Sequence, residues 1–319
     1  MIKTLAIVGF TLCTVGIHSV QPPLPHDPES PRDATLTVQV ALDRAGFSPG
    51  EIDGRSGRNT ERAIEAFRSA RNLRQTAEVD DELRAALAEH AVAPLVEYTV
   101  TEQDLAGPYE ASIPKDLMAQ AELKTLNYTS AWEMLAERFH MSPAFLRELN
   151  RIELTPGVTL RVTNVEPLAV PAKTGARQAA TGKAAAARVV VNARRGTLTA
   201  TDGGRVLFHA PVTVGGVNDP LPTGEWKVVE VFDRPVFNYN PDLFWDADPS
   251  HAKARIPAGP NNPVGLVWID LNLENYGIHG TPEPSRVGRS ESHGCVRLTN
   301  WDVVRLAALV GRNTPVIFE

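Results

Sequence analysis

RVVVNARRGTLTATDGGRVLF, residues 188–208, decides the fold of the C-terminal part of this chain. Val189–Val191, Gly196–Ala200 and Val206–Phe208 are short runs of β-branched and apolar residues. Turn signals at Arg194-Arg195 and Asp202-Gly203-Gly204 separate them, the pattern of successive antiparallel strands. Working outward, Val212–Val214, Trp226–Val231, Leu266–Ile269, Tyr276–His279 and Val316–Phe318 continue the series. One helix is predicted at Trp301–Val310, capped at Asn300 with Asp302 in its first turn and Gly311 at its end. A mainly β, sandwich-like domain over 188–319 follows. Residues 235–263 are rich in Pro and aromatics and long for a connection; such loops are often lids. Tyr239 and Trp245 are then flap candidates, the alternative being a surface loop that packs its aromatics.

Upstream, residues 171–187 have low complexity and read as a linker. Residues 96–170 read as strand, two helices, strand: Tyr98-Thr99-Val100, stripes after Ser130 and Ser142, a Pro156-Gly157 turn and Thr159–Val162. Residues 34–91 carry three apolar stripes at helical spacing: Leu36/Val40/Ala41, Ala63/Ile64/Phe67 and Leu83/Ala86/Leu87. The glycine-punctuated Ile52–Gly57 lies between the first two, and Asn59 or Thr60 is the expected cap of the second helix. The whole is a multidomain α+β protein, beginning with a small three-helix bundle.

The 319 residues carry a net charge of −6 with no basic stripe, which argues against nucleic acid as partner. Lys3, the apolar run Leu5–Ile17 and the polar, Pro-rich stretch after Ser19 read as a secretory signal over residues 1–20, with an uncleaved membrane anchor as the alternative. The expected location is outside the cytoplasm, in the periplasm. Loss of the signal removes Cys13 and leaves Cys295 as the sole cysteine of an exported chain. An unpaired cysteine in an oxidising compartment suggests a reactive thiol or an intermolecular bridge.

Around it stand Ile278-His279-Gly280-Thr281 and Ser292-His293-Gly294-Cys295-Val296-Arg297-Leu298. A thiolate is the nucleophilic form of cysteine; an imidazole can take the thiol proton, form an ion pair with the thiolate and later protonate a leaving amine. Spacing does not choose between His279 and His293 as that base. A backbone carbonyl near Gly280 is expected to orient the imidazole. Gly294 permits close approach of substrate, and the Cys295 amide is a natural oxyanion donor. Arg297 either binds a substrate carboxylate or pairs with an acid that stiffens the loop. Ser292 is a turn residue or a polar neighbour of the site. A zinc site from His279, His293 and Cys295 lacks an evident fourth ligand, so no metal and no cofactor is expected.

The two motifs resemble the YkuD-type L,D-transpeptidase catalytic domain, as do Pro222-Thr223-Gly224 and Asn261-Asn262-Pro263. That resemblance implies Cys295 as nucleophile, His279 as general base, and His293 lining the site beside Gly280, Ser292, Gly294 and Arg297. Residues 34–91 resemble the peptidoglycan-binding type 1 domain at Gln39, Leu42, Gly46-Phe47, Ile52-Asp53-Gly54, Gly57, Thr60, Ala63 and Phe67, with Arg68 where Gln is usual. Residues 96–170 are similar to LysM, with an extra stretch near 102–127. The implied partners are peptidoglycan stem peptides and glycan, and the implied inhibitors are carbapenems. The implied reaction is attack of Cys295 on the diaminopimelate–D-Ala bond of a tetrapeptide stem. A thioester then passes to an amine of another stem, giving a 3-3 cross-link, or to an outer-membrane lipoprotein; water as acceptor makes a carboxypeptidase. A non-catalytic wall-binding protein and a cysteine endopeptidase are the competing classes.

Overall fold

The computed structural model describes residues 31–177 and 186–319; the signal expected over 1–20 and part of the expected linker lie outside them. Among the described residues no helix is long and apolar enough to cross a membrane.

The N-terminal unit packs α1 (Pro31–Arg44), α2 (Arg58–Ala70) and α3 (Asp81–Ala86). Val38, Ala41, Leu42, Ala63, Ile64, Phe67, Leu83 and Leu87 form its core, where the second and third stripes meet; of the first stripe only Ala41 joins them, because Leu36 and Val40 face the core of the second unit. The cap of α2 is Gly57, with no side-chain hydrogen bond, rather than Asn59 or Thr60. Both side chains are used elsewhere: Asn59 donates to the Val287 carbonyl and Thr60 accepts from Gln39. Arg68 is fully buried yet paired, with Asp80 and with Glu82 at 2.7 Å, which offsets the cost of burying its charge.

The second unit pairs β1 (Leu95–Thr99) antiparallel with β2 (Thr159–Thr163). Between them come α4 (Glu102–Ala106), α5 (Leu117–Ala121), α6 (Ala131–Arg138) and α7 (Pro143–Leu149). Ser130 and Ser142 cap α6 and α7 by accepting from Glu133 N and Phe145 N, each satisfying one of the free N–H groups at a helix start. Strand, two helices, strand is therefore present, with α4 and α5 as the addition.

The C-terminal unit is a nine-stranded sheet with a helix. In chain order its strands are β3 (Gly175–Ala176), β4 (Arg188–Asn192), β5 (Thr197–Asp202), β6 (Arg205–Pro211) and β7 (Gly224–Asp233). The short β8 (Phe237–Tyr239) and β9 (Ala254–Ile256) form a separate hairpin. Then come β10 (Val267–Leu271), β11 (Gly277–His279), β12 (Val296–Arg297), α8 (Asn300–Leu309) and β13 (Pro315–Phe318). The sheet order is β12-β11-β10-β7-β13-β4-β5-β6, with β3 also on β7. Residues 224–227 of β7 pair with β13 and residues 228–233 with β10, so the sandwich-like domain is one continuous path over one core. Val189, Leu198, Phe208, Val228, Ile269, Ile278, Trp301, Leu306 and Phe318 fill that core.

Three expectations need correction. The expected linker begins as structure: Gly175–Ala176 pair with Asp233 and Phe232, and Arg177 forms an ion pair with Asp233 at 2.6 Å. Thr299, not Asn300, caps α8, accepting from Asp302 N. Val212–Val214 is not a strand of its own; β6 ends at Pro211, and Thr213 makes a single bridge to Arg297.

The three units share a buried polar junction. Asp43 of α1 meets Arg305 of α8 at 2.8 Å and His140, after α6, at 3.1 Å. His140 stacks on Trp301 at 5.2 Å, and Ser48 donates to Asp302 at 2.9 Å. Burial alone would raise the Asp43 carboxyl, but Arg305 and His140 outweigh it and hold it well below the usual carboxylate range. That stabilisation is present above the unfolded carboxyl value of about 4 and is lost as pH falls toward the depressed folded one. Asp43→Ala should cost about 2–3 kcal/mol in denaturant unfolding at neutral pH, below the value for a fully dry pair because Arg305 keeps some exposure. An unchanged midpoint would show that the junction contributes nothing.

Candidate active site

β11 and β12 run parallel, with Ile278 level with Val296 and His279 level with Arg297. Side chains alternate along a strand, so Ile278 and Val296 enter the core while His279 and Arg297 take the other face, and Cys295, one residue before β12, shares it. His279, His293, Cys295 and Arg297 line one cleft of about 960 Å³. The sequence motifs, 14 positions apart, meet because β11 and β12 are sheet neighbours.

His279 is buried. Its Nδ1 lies 2.6 Å from the Gly280 carbonyl, so the Nδ1–H tautomer donates there and Nε2 is left as the basic nitrogen. Trp268, opposite it on β10, stacks on the ring at 5.5 Å and 18°. Burial and the nearby Arg297 charge lower the imidazole to about 3, so it is neutral across the physiological range. Cys295 is half-buried; its Sγ lies 3.7 Å from the Asn275 carbonyl, and burial pushes the thiol up despite Gly277 and Arg297. The directions of both shifts favour a resting thiol beside a neutral imidazole, with an ion pair forming only as the proton moves.

This gives a measurable consequence. Alkylation of Cys295 by iodoacetamide should rise with pH through the alkaline range, with a midpoint above the free-thiol value of about 8.5. A plateau already reached at pH 6, as an ion pair produces, would contradict it.

Arg297 forms no salt bridge among the described residues. Its Nε is buried without a partner, and burial lowers its pKa. The acid-pairing alternative is not realised, which leaves a guanidinium in the cleft wall facing substrate.

The two glycines do other work than expected, and Ser292 takes the turn role. A Cβ on Gly280 would sit 2.2 Å from Asn300 Oδ1, so the residue faces α8 and only its carbonyl serves the site. Asn300 in turn accepts from Leu266 N and donates to the Pro260 carbonyl, tying β10 and the preceding loop to the helix start. Gly294 has φ +95° and abuts Tyr276, so it is required by the turn itself. Ser292 donates to the Cys295 carbonyl at 2.6 Å and clamps that turn.

His293 points to the other wall. Its Nε2 is 2.8 Å from Asp246 Oδ1, with Phe244 edge-on at 5.1 Å and Trp245 at 6.3 Å. Those residues belong to 235–263, which is a built hairpin rather than an irregular loop. Tyr239 is buried in its small core with Leu126 and Ile256, and Leu117 and Met118 pack against that core. His251 bridges Tyr239 Oη at 3.0 Å and Asp116 at 2.9 Å. The addition in the second unit thus supports the hairpin. Trp245 is 65% exposed at its edge. Among the described residues no cluster of three potential ligands could hold a metal.

Sequence reasoning missed Trp268, Asp246 and Asn300. The V-W-I-D-L alternation of β10 was the available signal for Trp268, since it puts Trp268 and Asp270 on the face opposite the core residues Val267, Ile269 and Leu271. Nothing local marked the other two.

A family model described as the L,D-transpeptidase catalytic domain matches residues 186–318, and one for a peptidoglycan binding domain matches 31–87. A Bacillus subtilis (strain 168) protein named as an L,D-transpeptidase, YkuD, is 32% identical over 38% of this chain and 58% of its own length. Another from that organism, YqjB, is 30% identical over 40% of this chain and 69% of its own. The chain thus spans about three fifths of the length of YkuD. The solved L,D-transpeptidase 3 from Mycobacterium tuberculosis overlays at TM-score 0.35 with 18% identity, covering 43% of this chain and 61% of that one, too loose a match to weigh. Given the matched C-terminal domain and the extent of the YqjB alignment, the chain belongs to the L,D-transpeptidase family.

Proposed function

We propose that the chain is an L,D-transpeptidase in which Cys295 attacks the diaminopimelate–D-Ala bond of a tetrapeptide stem. The observation that carries this reading is the placement of Cys295 and His279 on one face of adjacent strands in a single cleft. His279 Nε2 takes the thiol proton as sulfur attacks, and the burial that weakens this base also makes its conjugate acid a ready donor to the departing D-Ala amine. The C–N bond breaks and a thioester remains. The Cys295 amide and Arg297 serve the oxyanion or a substrate carboxylate. An amine acceptor then forms the new amide and returns the thiol. The acceptor is a second stem, giving a 3-3 cross-link, or a lysine of an outer-membrane lipoprotein.

The exported, periplasmic location rests on the Lys3 and Leu5–Ile17 pattern. Glycan contact is assigned to the two N-terminal units, and carbapenems are taken as acylating inhibitors. Incubating the full chain with disaccharide-tetrapeptide and a labelled stem acceptor tests the reading by product mass. A cross-linked amide with release of D-Ala is expected. Cleavage at an internal bond would mean an endopeptidase, and no turnover would mean a wall-binding protein.

Trp245, at the rim beside His293, is assigned to a flap over the donor groove. Trp245→Ala should slow acylation about threefold to tenfold, in line with losing an aromatic contact of about 1 kcal/mol. An unchanged acylation rate would remove the flap assignment.

A further inference from the structure

We infer that His293, held by Asp246, is the proton acceptor for a cationic amine in the second half-reaction, so that the two histidines divide the chemistry between them. This rests on the transpeptidase reading above and extends it.

The geometry separates the two rings. His279 is buried, covered by Trp268 and fixed through Nδ1 to Gly280. His293 stands two residues before Cys295, more exposed, under the hairpin. Its Nε2 is on Asp246 at 2.8 Å, which leaves Nδ1 as the unprotonated nitrogen. A carboxylate behind an imidazole fixes the tautomer and stabilises the imidazolium that forms when the ring takes a proton. Phe244 and Trp245 wall the ring in that position.

The acceptor needs such a group. An amine of the lysine or diaminopimelate kind has a pKa near 10 and arrives as an ammonium, which has no lone pair to attack with. His279, already lowered to about 3 by burial and Arg297, is a poor base for that proton. Asp219, Asp246, Asp248, Asp270 and Glu274 line the same cleft against one fixed cation, Arg297, so the charge of the cleft favours a cationic over a neutral acceptor.

The step balances. The ammonium gives one proton to His293 Nδ1, and the neutral amine attacks the thioester carbonyl. The C–S bond breaks as the C–N bond forms. The second N–H proton passes by way of His279 to the departing thiolate, which restores the Cys295 thiol, and His293 releases its proton to solvent. Asp246 is a positioning residue in this scheme.

Hydroxylamine is mostly unprotonated at neutral pH and needs no such base. The test is a competition for the acyl-enzyme, formed from disaccharide-tetrapeptide, between Nα-acetyl-lysine methylamide and hydroxylamine. In Asp246→Asn the ratio of lysine amide to hydroxamate should fall about tenfold relative to wild type, and in His293→Gln at least as far, up to about 10²-fold. Asp246→Glu should recover most of the ratio. A ratio unmoved in Asp246→Asn overturns the inference even if total turnover drops, because a loosened hairpin would slow both acceptors alike. If wild type forms no thioester from the tetrapeptide, the transpeptidase reading itself fails, and that is visible before any variant is compared.

Discussion

Cys295→Ala should abolish D-Ala release from a tetrapeptide stem, a fall of about 10⁴-fold or more. Among the described residues Cys295 is the only thiol, so the covalent step has no second sulfur nucleophile of its kind. Ser292 does not qualify: its hydroxyl is spent on the Cys295 carbonyl at 2.6 Å. The fold should not change, because Cys295 sits just before β12 and its Sγ makes a weak 3.7 Å approach to the Asn275 carbonyl, while the Ser292 clamp on the Cys295 carbonyl does not depend on the side chain. Unfolding of the alanine variant within about 1 kcal/mol of wild type would show that the loss is chemical. D-Ala release persisting at a tenth of the wild-type rate would place the nucleophile elsewhere.

His279→Gln should slow acylation about 10²–10⁴-fold, the usual contribution of a positioned general base. Glutamine keeps the approximate volume beneath Trp268 and can still donate to the Gly280 carbonyl, so the site remains packed while its proton acceptor is lost. The comparison with His293→Gln assigns the roles. The present account has His279→Gln failing at thioester formation and His293→Gln failing chiefly at transfer to amines. If His279→Gln acylates within about threefold of wild type while His293→Gln does not, His293 is the base for the thiol.

Much of this site was legible because it is written in contiguous residues. A cysteine flanked by His293 and Gly294, and left unpaired if the expected signal with Cys13 is removed, is informative without any fold. The period-2 strands upstream and downstream fixed a β-rich domain around it. What stayed hidden depends on partners far apart in the chain. β8 and β9 are three residues each, too short for an alternation to register, and their stability comes from Leu126 and α5, more than 100 residues earlier. β3 is two residues long and is defined only by β7. Asn300 looked like a cap because Asn favours that position; tertiary bonds to Leu266 and Pro260 claimed its side chain, and Thr299 took the cap instead. Glycine invites a reading of open space, yet Gly280 and Gly294 are filled on their free side by Asn300 and Tyr276. The electrostatic bias toward a neutral thiol and imidazole is encoded in no motif: His279 is buried, Cys295 half-buried, and Arg297 adds a positive charge against the imidazolium.

If Cys295 is the nucleophile of this cleft, it is the residue that an acylating β-lactam modifies. Intact-protein mass spectrometry of the protein with a carbapenem, beside Cys295→Ala and followed by peptide mapping, shows whether it is. A single adduct is expected on wild type, mapped to the peptide containing Cys295, and none on the alanine variant. A well-folded wild-type protein that acquires no adduct, or an adduct that survives in Cys295→Ala, would contradict it.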